Sequence, residues 1–319
     1  MATISAPELG KMYELFEKAA GIITKAIGTR AIKIRYDGDC DGIMAALILK
    51  KAIEAHCEKN STPASLRFQQ SKGAIYNEEN SEEDRATLPE GSLLILLDHG
   101  ANEESKQALR DIGQHCETMV VDHHPPANNN CIGHFVSPFA LDKCIEPSSY
   151  NTGLLCFEIG KLIAPEVEEQ LLLFCLFSMQ GDTSSFRSKE FFPEAVVTDY
   201  LAVRATQPYS LEFYEKTLQD RHFVRELYRE EQDKMRSAME KAVEKAKEFP
   251  GKFLLVTCDV SNIAKKRSYP SIGKLHNAVQ THFSKHGPTA SILYTRDRLS
   301  FRANHSAADL GFSANVVIT

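Results

Sequence analysis

No apolar run in the 319-residue sequence approaches the roughly 20 residues needed to span a bilayer. Its start, MATISAPELGKMYELF, lacks the basic flank and apolar core of an export signal. None of the eight cysteines forms a C-x-x-C pair, and several sit in apolar runs such as LLLFCLF, which fits a reducing compartment with buried thiols and argues against a disulfide scaffold. Internal repeats and low-complexity tracts are absent. With 43% hydrophobic and 25% charged residues, 17 Gly and 13 Pro, disordered and collagen-like chains are excluded. The sequence reads as a soluble cytoplasmic protein long enough for two domains and with no membrane partner.

Strand, acid and helix follow one another repeatedly. After an amphipathic segment from Pro7 to about Ile27, Ala31 to Tyr36 (AIKIRY) alternates like a strand and runs into DGDCDG, and Ile43 to Cys57 reads as a helix. Ser92 to Leu97 (SLLILL) is the next strand, ending at Asp98; Thr118 to Val121 follows, ending at Asp122, with helical spacing from Glu103 to His115 between them. This alternation predicts an α/β fold, a parallel sheet with helices on both faces, in which ligands collect beyond the carboxyl ends of the strands. Two apolar helical runs from Thr152 to Met179 lead to Asp182. A mostly helical stretch with both charge signs then runs to Pro250-Gly251 and reads as a long solvated connector rather than a coiled coil. A smaller α/β domain follows, with strands near Phe253–Val260, Thr289–Thr295 and Leu299–Arg302 and a helix near Ile272–Ser284. The expected division is 1–192, 193–250 and 251–319.

The net charge of −6 hides an asymmetry: Lys252 to His305 holds nine Lys/Arg against Asp259 and Asp297 alone. Such a balance suits an anionic substrate gripped by the C-terminal part. The acids gather earlier, at Asp37, Asp39 and Asp41 in DGDCDG, Asp98 in LLLDHG, Asp122 with His123 and His124 in VVDHHPP, and Asp182 in QGDTSSF. Taken singly, each has a bland reading as a loop acid, a helix cap or a polar turn. Together, three of the four points end successive strands. Carboxylates crowded at one sheet edge are costly unless cations neutralise them, and carboxylate oxygens mixed with imidazoles suit Mn²⁺ or Mg²⁺ better than structural zinc. Were the backbone to stay extended through DGDCDG, its three acids would point to one side, with Gly38 and Gly42 permitting the turn.

YDGDCDG, LLLDHG, VVDHHPP and GDTSSF resemble, in order and spacing, the four motifs of the DHH phosphoesterases, over about Ile32 to Asp182. The D-x-D-x-D-G form of the first resembles the RecJ-like nucleases within that superfamily. The resemblance implies two divalent cations, Mn²⁺ ahead of Mg²⁺, with Asp37, Asp39, Asp98, His123 and Asp182 as ligands and Asp98 as the bridge. It implies catalytic supporting or phosphate-contacting roles for Asp41, Asp122 and His124, and a metal-activated water as nucleophile. SFRANH resembles the start of the family's substrate-binding motif, which makes Arg302 a phosphate clamp and His305 a second substrate contact. The family's GGGH loop is not found before the sequence ends at ANVVIT, so the C-terminal domain is expected to be incomplete.

The implied activity is a RecJ-like exonuclease on single-stranded DNA or RNA. The alternatives are a DHH phosphodiesterase for short substrates (nanoRNA, nucleoside bisphosphate or cyclic dinucleotide) and a replisome scaffold binding the GINS complex, with or without nuclease activity. The filled ligand positions favour catalysis, and the first motif favours the nuclease branch. The Lys/Arg-rich C-terminal signature of manganese pyrophosphatase is absent.

Overall fold

In the computed structural model, which describes residues 6, 8–71, 73–126, 133–141, 146–265, 268–285 and 287–310, the chain packs as two compact units. The first comprises residues 1–202 and 208–221, the second 203–207 and 222–319. The stretch 193–250, expected to act as a connector, is divided between them: α7 (Pro193–Arg204) and α8 (Leu211–Gln219) fall mainly in the first unit and the 25-residue α9 (Arg221–Lys245) mainly in the second.

The first unit is a five-stranded parallel sheet in the order β2-β1-β3-β4-β5. Its strands are β1 (Ile32–Tyr36), β2 (Leu66–Gln70), β3 (Leu93–Leu97), β4 (Glu117–Val121) and β5 (His134–Val136). β1, β3 and β4 lie where the sequence places strands; β2 and β5, on the edges, are short segments that carried no comparable apolar run. The LLILL of β3 is buried throughout, the mark of a central parallel strand covered on both faces. Each of these side chains contributes about 1.5–3 kcal/mol of apolar burial.

Both faces are covered by helices. On one side Leu94, Leu96 and Val120 pack with Ala108, Leu109 and Ile112 of α4 (Lys106–Ile112) and with Tyr76. On the other side lies α2 (Cys40–Asn60), enclosed by α5 (Thr152–Ile163) and α6 (Glu168–Gly181), with α1 (Tyr13–Ala26) beyond α5. This enclosure explains why the stretch Ile43–Leu49 of α2 is apolar on every side rather than amphipathic, with each of its residues inaccessible.

Alternation in β1 has an unusual consequence. Ile32, Ile34 and Tyr36 serve one face, and Lys33 and Arg35 are buried on the other, where α3 (Glu78–Thr87) supplies Asp84. Arg35 grips Asp84 with two bonds of 3.0 and 2.7 Å, Lys33 Nζ lies 2.5 Å from the same carboxylate, and the Tyr76 hydroxyl donates to it at 3.0 Å. The polar face of this strand therefore meets a buried ion network instead of water.

The second unit holds a four-stranded sheet in the order β6-β7-β8-β9, with β6 (Lys247–Phe249) antiparallel to β7 (Leu254–Asp259), β8 (Thr289–Tyr294) parallel to β7, and β9 (Leu299–Ala303) antiparallel on the edge. β6 falls where helix was expected to continue. Ala238 and Ala242 of α9 and Leu275, Val279 and Phe283 of α10 (Ile272–Ser284) form the core with Val256, Cys258 and Leu293. No helix among the described residues is long and apolar enough to cross a membrane.

Candidate metal centre

Strand β1 ends at Tyr36 and α2 begins at Cys40, so the first motif changes conformation within itself. Asp37 is tied to the neighbouring strand through its amide, which donates to the Leu97 carbonyl at 3.1 Å. Asp39 is the N-cap of α2 and accepts the Gly42 amide at 3.1 Å, which satisfies one of the helix's orphan donors. The extended reading of DGDCDG is thereby corrected: helix starts before Asp41, which turns away from its two companions. The glycines are needed for close approach rather than for a left-handed turn. A Cβ on Gly42 would lie 2.4 Å from the Asp37 carbonyl oxygen, and one on Gly38 would lie 2.6 Å from Gln70 Nε2.

Asp41 is buried and heavily bonded. Its Oδ1 accepts from Asn151 Nδ2 at 2.7 Å, Gly153 N at 2.8 Å and Ser178 Oγ at 2.6 Å, and its Oδ2 accepts from Thr152 N at 2.8 Å. It joins the start of α2 to the N-terminus of α5 and to α6. Asp98 and Asp122 stand at the carboxyl ends of β3 and β4. Asp98 has φ +56°, a left-handed conformation that Asp adopts more readily than most residues.

Side chains converge from four elements. His123 Nε2 lies 3.5 Å from Asp98 Oδ1, 3.7 Å from Asp41 Oδ2 and 3.8 Å from Asp182 Oδ2. His124 Nδ1 lies 3.4 Å from Asp98 Oδ1 and 2.9 Å from Asp122 Oδ1. Donor atoms of Asp37, Asp39 and Asp98 fall within 4.8 Å of one another, as do those of Asp98, His123 and His124, and those of Asp41, His123 and Asp182. Asp98 is common to two of these groups. Asp122 spends its carboxylate on protein, accepting the Ala101 amide at 3.1 Å on one oxygen and the amide and ring of His124 on the other.

Crowding shows in the titration of the site. Burial, then Asp98, pushes Asp37 up to about 7; burial, then Asp41, does the same to Asp182. Asp39 is raised by desolvation and by Asp98, Asp37, Asp199 and Asp41, although the residue as a whole is exposed. Burial, then Asp98, raises Asp41 to about 6 against its hydrogen bonds. Asp98 moves the other way: burial opposes its charge, but His123, His124 and the Thr152 hydroxyl hold it below the ordinary carboxylate range. Desolvation opposes charge on His123, yet Asp98, Asp41 and Asp182 carry it up to about 11, and the bond to Asp122 carries His124 to about 9.

Four contributors carried no motif signal. Thr152 Oγ1 donates to Asp98 Oδ1 at 3.2 Å, Asn151 and Ser178 hold Asp41, and Asp199 of α7 accepts the Cys40 amide at 2.7 Å. Asn151-Thr152-Gly153 before an apolar run is readable as a helix start, but nothing in the sequence links it to an acid 110 positions earlier. His99, beside Asp98, lies outside the cluster. It is fully buried, its ring bonds to the Gly73 carbonyl at 2.7 Å, and burial lowers it to about 4, leaving it neutral.

Arg302 belongs to the second unit, on β9 opposite Ser291 of β8. Its guanidinium is partly buried, and Nε has no hydrogen-bond partner among the described residues. Neighbouring His276 is buried and bridges Ser300 Oγ at 2.7 Å and Ser291 Oγ at 2.8 Å; burial, then Arg302, lowers it to about 4. Arg302 forms no ion pair among the described residues, and the imidazole beside it is neutral. His305 opens α11 (His305–Asp309), and its side chain lies outside the described part of the structure.

With this geometry in place, comparison with known proteins gives a consistent class. The profile of the DHH family, N-terminal domain, matches residues 31–161, a span that holds the first three of the four acidic motifs. A search of curated proteins finds no match. Among solved structures, a DHH-domain member of the S1p family of ribosomal proteins is similar over 99% of this chain and 83% of its own, at 21% identity and a TM-score of 0.80. Exonuclease RecJ bound to manganese is similar over 95% and 84%, at 15% identity and a TM-score of 0.61. CDC45 from Entamoeba histolytica is similar over 88% and 86%, at 10% identity and a TM-score of 0.53. These likenesses establish a RecJ-like α/β fold.

Proposed function

We propose that this chain is a divalent-cation-dependent phosphodiesterase acting as a RecJ-like exonuclease on single-stranded DNA or RNA. The observation that carries the reading is the position of Asp98, which stands between two acids of the first motif and two imidazoles of the third. The donor set fits hard divalent cations. Asp37, Asp39 and Asp182 have carboxylate oxygens not taken up by the protein, and burial with mutual repulsion raises all three, which is the condition a cation relieves. Asp37, Asp39, Asp98, His123 and Asp182 would hold two such ions, Mn²⁺ in the first place. When bound, the ions lower the pKa of a water and neutralise phosphoryl oxygens.

The chain's own residues supply the rest. Thr152 and His123 keep Asp98 charged, Asp122 fixes the ring of His124 at the rim, and Asp41 locks α2 to α5. His124, 44% exposed at its side chain, is the group placed to meet substrate phosphate. Arg302, whose Nε has no hydrogen-bond partner among the described residues, offers its guanidinium to a further phosphate.

End-labelled single-stranded DNA, RNA and dinucleotides incubated with the purified chain and Mn²⁺ test this. Stepwise shortening of the single strands, abolished by chelator, is expected. Cleavage of dinucleotides alone would move the reading to the short-substrate phosphodiesterases. Metal-dependent binding without cleavage would move it to a scaffold, for which the GINS complex is the partner to try.

A further inference from the structure

Cys40 is the first residue of α2, and its amide is one of the donors that a helix start cannot satisfy internally. Asp39 covers the Gly42 amide, and the Cys40 amide is covered from 159 positions away, by Asp199 Oδ1 at 2.7 Å. Asp199 is only 6% exposed and lies on α7, outside the four motifs and outside the matched region 31–161. The other side of Cys40 is walled by the end of α6. Its thiol lies 3.6 Å from the Phe177 carbonyl, and a Cβ on Gly181 would come within 2.6 Å of Cys40 Cβ.

The two grips act on residues adjacent to two acids of the cluster. Asp39 immediately precedes Cys40, and Asp182 immediately follows Gly181. We propose that Asp199 is a positioning residue of the metal centre: by holding the Cys40 amide it seats the first turn of α2 against the end of α6, which fixes Asp39 within its donor group with Asp37 and Asp98, and Asp182 within its group with Asp41 and His123. This rests on the proposed two-cation reading and adds to it a residue that contributes no ligand atom. The bond needs an oxygen acceptor at this position rather than a net charge, because the donor is a neutral amide. Favourable interaction of a carboxylate with the helix dipole is an addition to that bond.

Calorimetric titration of Mn²⁺ into the metal-free 319-residue chain tests the inference, using the wild type, D199N and D199A, with thermal midpoints measured alongside. D199A is expected to weaken Mn²⁺ binding by about 10- to 100-fold, the loss usual when an outer partner of a ligand is removed, whereas D199N stays within about 3-fold of wild type. Should D199A not fold, D199S replaces it, its hydroxyl being too short to reach the amide. A folded D199A or D199S that binds Mn²⁺ as tightly as wild type overturns the inference. Loss of fold in both, with D199N intact, also overturns it, since Asp199 would then be a folding residue. Wild-type protein that takes up no Mn²⁺ overturns the functional reading itself, which keeps the two failures distinct.

Discussion

Asn151 Nδ2 donates to Asp41 Oδ1 at 2.7 Å, and this bond makes the third acid of DGDCDG an anchor. Two backbone amides and a serine hydroxyl complete the set of donors around it. Asp41→Ala would leave the Thr152 and Gly153 amides and the Ser178 hydroxyl without this acceptor, with Asn151 keeping only its bond to Ser178, and a cost of about 3–5 kcal/mol is expected in the metal-free chain. Urea unfolding in chelator measures it. A change below about 1 kcal/mol would show that the four donors find water instead.

For Asp98→Ala the expectation is reversed. His123 loses the bond that does most to raise it and moves back towards its ordinary pKa, with Asp41 and Asp182 still beside it, and His124 keeps its bond to Asp122, so little unpaired charge stays buried. Cation binding and hydrolysis are lost, while the thermal midpoint at pH 8 is close to wild type. Retained Mn²⁺ binding in the calorimeter would remove Asp98 from the bridging position.

The acids also set a pH dependence. Asp37 and Asp182 titrate near 7 in the fold, against 3.8 as the ordinary value, so the metal-free fold binds more protons than the unfolded chain between those limits. The contribution of these two acids to stability therefore falls as pH rises from about 4 to about 7. His99 and His276, lowered from 6.5 to about 4, contribute in the opposite sense up to about pH 6.5, so the uncompensated fall lies above that value. His123 and His124, raised from 6.5 to about 11 and about 9, add stability that is complete below pH 6.5 and is lost as pH rises through those values. Asp98, held below 3.8, stays charged throughout and does not offset the trend. Cations replace the protons on Asp37 and Asp182, so Mn²⁺ affinity rises steeply across pH 6 to 8. Melting curves with and without Mn²⁺ across this range check both statements; a metal-free midpoint that rises between pH 6.5 and 8 would contradict them.

Central strands were legible because double-sided burial demands apolar runs, as in LLILL, and the acids at their ends were legible because the chain turns there. The edge strands β2 and β5 were not, since an edge needs little apolar content and LRFQQ and HFV show little periodicity. Asp41 was misread for orientation because period-two alternation holds only while the backbone stays extended, and the helix begins at Cys40. Asn151, Ser178 and Asp199 were invisible for a different reason: each is an ordinary polar residue in its own segment and gains meaning only from a partner more than 20 positions away in the fold. Alternation in AIKIRY puts Lys33 and Arg35 on one face of the strand, and the burial of that face comes from the approach of α3.

That ion network gives a prediction away from the cleft. Asp84→Ala would leave Arg35 and Lys33, at 1% and 4% side-chain exposure, without their shared carboxylate. Breaking a buried pair on one side costs about 3–5 kcal/mol, and the exposed Glu83 recovers only a small part of it. Chemical denaturation is the measurement. A loss under 1 kcal/mol would mean that the two cations reach solvent.

Arg302 presents the opposite case, a cation that meets no carboxylate among the described residues. Its Nε is buried and unpartnered, desolvation lowers its pKa, and the adjacent His276 is held neutral between two serines. Arg302→Ala therefore breaks no ion pair, and the stability of the second unit should be unchanged within about 0.5 kcal/mol. If the guanidinium meets one phosphate of a bound strand, removing it weakens single-strand binding and flattens the dependence of log K on log salt by about 0.7, the contribution of one phosphate contact on a single strand. KM for oligonucleotides should rise more than kcat falls, and hydrolysis of a small chromogenic diester should be nearly unaffected, because that substrate has no remote phosphate to hold. Binding measured by anisotropy across a salt series, set beside the two hydrolysis assays, separates the possibilities. An unchanged salt slope would deny the phosphate contact, and an equal loss on both substrates would place Arg302 at the reacting phosphate instead of a remote one.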